Sequence, residues 1–243
     1  MSDPLRDRVE QIVAARNASA NPYFRALEDG SFTRDDFVET QIQFYFAVVF
    51  FSRPMAALAA KIPHAEQRVE ILRNVWEEHG EGRRSFMHGT TFLELLHRLG
   101  GITPQNVEDR ALWPEVRAFN TVLVGACVLD EYLVGASVLG IIERLFADIS
   151  TWIGRGIVRR GFLAESQLIH YDLHEKLDHR HSDDFFALLR PTYARGGQDA
   201  YVIEQGLELG AYVFLRLYDD LWRARTRRVS CAGHGNHGLH TRA

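Results

Sequence analysis

The stretch His174-Glu175-Lys176-Leu177-Asp178-His179-Arg180-His181 decides how the chain is read. On an α-helix, with about 100° between successive residues, positions i, i+4 and i+7 return to one face. His174, Asp178 and His181 therefore share a stripe, with His181 about 20° and Asp178 about 40° from His174 around the axis. Two imidazoles and a carboxylate on one face are metal-grade ligands. The two histidines stand about 10 Å apart along the axis, which suits a pair of metal ions flanked or bridged by the carboxylate better than a single ion.

The surrounding sequence is helical in pattern. Leu5, Val9, Ile12 and Val13 recur at helical spacing behind Asp3 and Pro4, and Asn21-Pro22 reads as the stop of that helix. Thr33-Arg34-Asp35-Asp36 has the acidic first turn of a second helix, apolar nearly all round from Gln41 to Phe51, kinked at Pro54 and reaching about Lys61. The span from His64 to Leu99 is amphipathic but broken by Gly80 and Gly82. Gly100-Gly101 ends it, and Thr103-Pro104 starts a short linking helix. After the Trp113-Pro114 turn, Glu115 to Leu139 and Ile141 to Gly161 read as helices joined at Gly140 or continuous through it. Ala164 to Leu189 carries the opening motif, and Gln198 to Arg225 forms a last long helix. No segment alternates as a strand, so the fold class is all-α, a bundle of about seven helices in one domain over residues 1–226. Residues 227–243, polar and glycine-rich with His234, His237 and His240, read as a disordered tail.

Composition agrees with a globular bundle. The 243 residues are 46% hydrophobic and 25% charged, enough apolar material for a sizeable core. A net charge of -4 offers no basic field for a phosphate backbone, so nucleic acid is not an expected partner. The longest apolar run, Ala118 to Ile142, is interrupted by Asp130 and Glu131, which argues for a buried helix pair and against a membrane span. Cys127 and Cys231 form no CxxC pattern and the amino terminus is too polar for a secretory signal, so a cytoplasmic location is expected.

A dimetal site in a bundle needs ligands from several helices. Glu143 sits in an apolar stripe between Ile142 and Leu145, and a carboxylate there needs a partner. A salt bridge to Arg144 or Arg160 is the bland alternative. His88 follows Glu77, Glu78 and Glu81. An unbroken helix favours Glu81, which at i+7 shares the face of His88, whereas Glu78 lies about 80° away; the glycines weaken that argument.

These residues resemble the haem-oxygenase-like diiron oxidases and oxygenases, a family that shares a seven-helix bundle with haem oxygenase and thiaminase II. The family pattern of glutamate and histidine on one helix, glutamate on another, then HxxxDxxH, is similar to this chain in order and approximate spacing from Asn74 to His181, and more loosely over residues 5–220. In the family the first carboxylate follows an asparagine matching Asn74 by four residues, so the resemblance selects Glu78 over Glu81. It implies two Fe(II) ions held by Glu78, His88, Glu143, His174, Asp178 and His181, with Glu78, Glu143 and Asp178 as the catalytic carboxylates. It further implies O2 as co-substrate, allows an external reductant, and points to a small-molecule substrate such as an amino acid, amine or fatty acid. A homodimer is the family's common assembly.

Departures narrow the expectation. N-oxygenase-type members carry a further carboxylate on an earlier helix, and Gln41 to Pro54 has none. The tyrosine consumed in members that make 4-aminobenzoate corresponds here to Phe24, leaving Tyr45 and Tyr171 as pocket candidates or core tyrosines. Thiaminase-like relatives use a cysteine nucleophile, so Cys127 in a metal-free hydrolase is the rival reading, and a helical interaction or regulatory protein is another; apolar neighbours make Cys127 a better buried hydrophobe. His79, His97, His170 and His179 read as structural or exposed.

Overall fold

The structure, a computed structural model, describes residues 3–231, excepting the side chains of 169 and 172–179. The described residues form ten α-helices: α1 (Pro4–Arg16), α2 (Pro22–Asp29), α3 (Arg34–Lys61), α4 (Ala65–Glu78), α5 (His88–Gly100), α6 (Pro104–Glu108), α7 (Pro114–Val124), α8 (Tyr132–Arg159), α9 (Ile169–Arg195) and α10 (Gly197–Ala224). Among them there is no strand beyond an isolated bridge between Arg110 and Ser230. The all-α expectation holds, while the helix number exceeds the expected seven through short and interrupted segments.

One of these is α2. Asn21-Pro22 does not stop α1, which ends at Arg16 with Asn17 (φ +43°) as its C-cap; it starts α2, the Asn21 side chain accepting a hydrogen bond from the Tyr23 amide at 2.9 Å and Pro22 taking the first helical position, where its missing N–H costs nothing. A second correction concerns the pair after Trp113. The expected joint at Gly140 is a continuous part of α8, and the break lies at a π-helical turn, Gly125–Leu129, followed by Asp130 and Glu131. The Asp130 carboxylate accepts from the Glu131 amide at 2.8 Å within this break, and α8 begins at Tyr132. Gly140 serves packing instead, since a Cβ there would stand 2.9 Å from the Cβ of Phe185.

The centre of the bundle is α8, which packs most extensively against α9 and α10. Gly206 and Gly210 of α10 meet it at close quarters: a Cβ on Gly210 would lie 2.7 Å from the Val138 carbonyl oxygen. Across α8 runs α3, the one described helix long and apolar enough to cross a membrane by composition, with 56% of that stretch buried in the bundle. Its Pro54 is accommodated within the helix. Glu143 on α8, near its middle, is thus surrounded by helices.

The chain beyond α10 is more structured than the tail expected from 227 onward. Arg227 makes a bidentate pair with Glu115 at 2.9 and 3.0 Å, the Ala111 amide donates to the Val229 carbonyl at 3.0 Å, and the Cys231 amide donates to Asp109 O at 2.9 Å. Residues 232–243, with the three tail histidines, lie outside the described residues.

Candidate metal centre

The site begins where α4 stops. Gly80 (φ +64°), Glu81 (φ +53°) and Gly82 (φ +80°) turn the chain left-handedly, and a Cβ on Gly80 would sit 2.6 Å from the amide nitrogen of Met87. The turn therefore folds directly against the segment that starts α5. This brings Glu78, the last residue of α4, to His88, the first of α5, with Oε1 and Nδ1 2.8 Å apart and both side chains buried. The same turn throws Glu81 outward, where its side chain is 51% exposed and pairs with Arg83 at 2.7 Å. Helical extrapolation favoured Glu81 only while the helix was assumed to continue.

From the opposite wall come Glu143 of α8 and His181 of α9, 4% and 0% exposed. His181 Nδ1 is 3.8 Å from Glu143 Oε1. One donor atom each from Glu78, Glu143 and His181 all fall within 4.8 Å of one another, close enough that a small adjustment of the side chains brings all three onto one ion. The bland pairing of Glu143 is not what its candidate partners make: Arg144 binds Glu10 and Asp148, and Arg160 donates to the Phe32 carbonyl. The structure thus brings together Glu78, His88, Glu143 and His181. Positions 174 and 178 lie on the helical backbone of α9, and the side chains of His174 and Asp178 are outside the described residues.

Two residues close to the site had no role assigned to them from the sequence. Glu77 has its Oε2 2.8 Å from His181 Nε2. His170, read as structural or exposed, is fully buried, with Nδ1 3.0 Å from Thr91 Oγ1 and its ring centroid 6.1 Å from that of His88. Neither shows a local signal, because each contact joins α9 to a helix far away in sequence. His79 and His97 are exposed as expected.

The carboxylates and His88 form one end of an otherwise apolar cavity of about 40 Å³, walled by Phe44, Val48, Phe51, Ile142, Phe146 and Phe214 among others. Such a volume admits a few molecules of the size of water, at about 10–15 Å³ each, and no drug-sized ligand. Burial of two neighbouring carboxylates favours their neutralisation by cations, which is what a divalent ion supplies. Tyr45 packs its ring 6.1 Å from Phe92, and burial pushes its phenol up. The Tyr171 hydroxyl donates to Gln41 Oε1 at 2.5 Å, and Gln41 donates in turn to Tyr23 at 2.7 Å, so Tyr171 ties α9 to α3. Phe24 packs between Trp152 and Tyr218. Cys127 is fully buried, and burial pushes its thiol up to about 12.

A family model described as "Iron-containing redox enzyme" matches residues 38–211, most of the bundle and every ligand candidate. The chain belongs to that family of iron-containing redox enzymes. The fold is haem-oxygenase-like. A domain of unknown function with a heme oxygenase-like fold from Shewanella denitrificans superposes with a TM-score of 0.74 at 15% identity, over 92% of each chain. A TenA homologue from Pseudomonas syringae gives 0.70 at 12% identity over 90% of this chain and 92% of that one. A TenA homologue from P. horikoshii gives 0.66 at 16% identity over 91% and 97%. At these identities the likeness speaks for the fold alone. No curated protein matches the sequence significantly.

Proposed function

We propose that this chain is an O2-dependent non-haem diiron oxidase or oxygenase acting on a small organic substrate, with Glu78, His88, Glu143, His174, Asp178 and His181 as the iron ligands. The observation that carries the reading is the convergence of Glu78, His88, Glu143 and His181 from four helices at the end of an apolar cavity inside an iron-containing redox family. When bound, two Fe(II) ions supply the electrons for O2 activation, with an external reductant restoring them. The residues of the chain do the rest. The carboxylates offset the charge of the ions, the histidines hold them in a borderline-soft field, and the phenylalanine wall keeps water away. A cavity of about 40 Å³ matches O2 in size, so an amino acid, amine or fatty acid enters by displacing side chains of the wall or approaches from outside it.

The TenA homologues share the fold, and a metal-free hydrolase using Cys127 is the reading they would favour. A nucleophilic cysteine works as a thiolate in a partly exposed, electropositive place. Cys127 is fully buried and burial outweighs the nearby Lys61 cation, holding the thiol protonated, which counts against that rival. Anaerobic loading with Fe(II), followed by metal analysis and O2-uptake measurements, tests the proposal. Bound iron that disappears in Glu78→Ala and Glu143→Ala supports it, whereas turnover by an iron-free chain that is lost on Cys127→Ala would replace it with the rival.

A further inference from the structure

Glu77 stands next to Glu78 on α4 but faces a different neighbour. Its Oε2 lies 2.8 Å from His181 Nε2, its carboxylate is ion-paired with Arg180, and Oε1 is 3.9 Å from Arg73 Nε. Arg73 is anchored on α9 through Asp184 at 2.7 Å. The Glu77 side chain is only 10% exposed, so this is not one of the solvated ion pairs that contribute little. An ion-paired carboxylate accepts hydrogen bonds and donates none, so the contact places the imidazole proton on Nε2. In the neutral ring the nitrogen left with its lone pair is then Nδ1, and Nδ1 is the atom that faces Glu143 Oε1 at 3.8 Å.

We propose that Glu77 is a positioning residue that fixes the tautomer and ring orientation of His181, presenting Nδ1 as its metal-ligating atom. A carboxylate behind a ligating imidazole holds the ring and raises its basicity, and loss of such a partner weakens metal binding by about 10–100-fold. The arrangement is built into the chain before any ion arrives: α4 supplies Glu77 and Glu78 in succession, one at Nε2 of His181 and one in the group that His181 forms with Glu143. Arg73 and Arg180 keep the carboxylate in place from either side. The inference rests on the proposed metal reading of the Glu78, Glu143 and His181 group.

The test has two readouts. In metal-free protein labelled with 15N-histidine, the ring nitrogens of His181, assigned by their loss in His181→Gln, are expected to show Nε2 protonated and Nδ1 bare. Glu77→Ala is expected to mix the tautomers, and Glu77→Gln to retain the wild-type form because its amide oxygen still accepts. In a chelator-competition titration, Glu77→Ala is expected to bind Fe(II) about 10–100-fold more weakly, with Glu77→Gln close to wild type. Nδ1 protonation in the wild type, or unchanged Fe(II) affinity in Glu77→Ala, overturns the proposal. A wild-type chain that binds no Fe(II) overturns the metal reading instead, and the tautomer spectrum then still decides whether Glu77 sets the protons of His181.

Discussion

Glu78 Oε1 and His88 Nδ1 stand 2.8 Å apart although one residue closes α4 and the other opens α5. The contact depends on the tight turn between them, and the turn depends on Gly80, whose φ of +64° and 2.6 Å approach to the Met87 backbone leave no room for a side chain. Gly80→Ala is therefore expected to destabilise the fold by about 1–3 kcal/mol and to lower iron retention with it. Urea unfolding and metal analysis of the same preparation check both. An unchanged unfolding midpoint would show that the turn tolerates a Cβ.

The two neighbouring glutamates separate cleanly. Glu78→Ala is expected to abolish or severely weaken iron binding, while Glu81→Ala, at an exposed side chain, is expected to keep iron content and to change stability by no more than about 0.5 kcal/mol. Iron content after anaerobic loading is the measurement, and the reverse order would return the ligand role to Glu81.

Cys127 and Cys231 are expected to differ in reactivity. At pH 8 a thiol reagent should label the exposed Cys231 quickly and Cys127 only after unfolding. The thiol of Cys127 rises from an ordinary 9.0 to about 12 in the fold, so the folded state holds its proton more tightly than the unfolded one. Its contribution to stability is complete below pH 9 and is lost as pH climbs from 9 to 12, at about 1.4 kcal/mol per pH unit. Tyr23 and Tyr171, also raised by burial, add to the alkaline loss above their ordinary range near 10. Denaturation curves at pH 8, 9 and 10 should thus show a steeper decline in wild type than in Cys127→Ala. Equal slopes would remove Cys127 as the cause.

Ala47 faces the cavity and gives a way to fill it without touching a ligand. Ala47→Val is expected to leave bound iron unchanged and to slow O2 consumption, since two added methyl groups take up much of about 40 Å³. Oxygen-electrode rates on iron-matched samples decide it. A rate equal to wild type would show that O2 does not use this space.

These outcomes also mark what the sequence could carry. The burial of α3 was legible because its residues are apolar all round, and the break after Glu78 because two glycines flank one residue. The position of the α7 to α8 boundary was not. Gly140 attracted the joint by its low helix propensity, yet it is kept for the approach of Phe185, a contact set by tertiary packing. Helical angles alone pointed to Glu81, and the positive-φ turn that the two glycines signalled is what removes that extrapolation. Glu77 and His170 leave no periodic trace, since their partners His181 and Thr91 come from distant segments. The HxxxDxxH spacing on α9 was legible because a single helix encodes it, and of its three residues His181 has a described side chain, which joins Glu78 and Glu143.

We propose an iron pair held by six side chains from four helices. It is tested most directly by anaerobic Fe(II) titration of the full-length chain, with metal analysis after removal of unbound ion and O2 uptake on exposure to air. Two irons per chain, prompt O2 consumption, and loss of both in His174→Ala are expected. A full-length protein that binds no iron, or one whose activity survives His174→Ala intact, would contradict it.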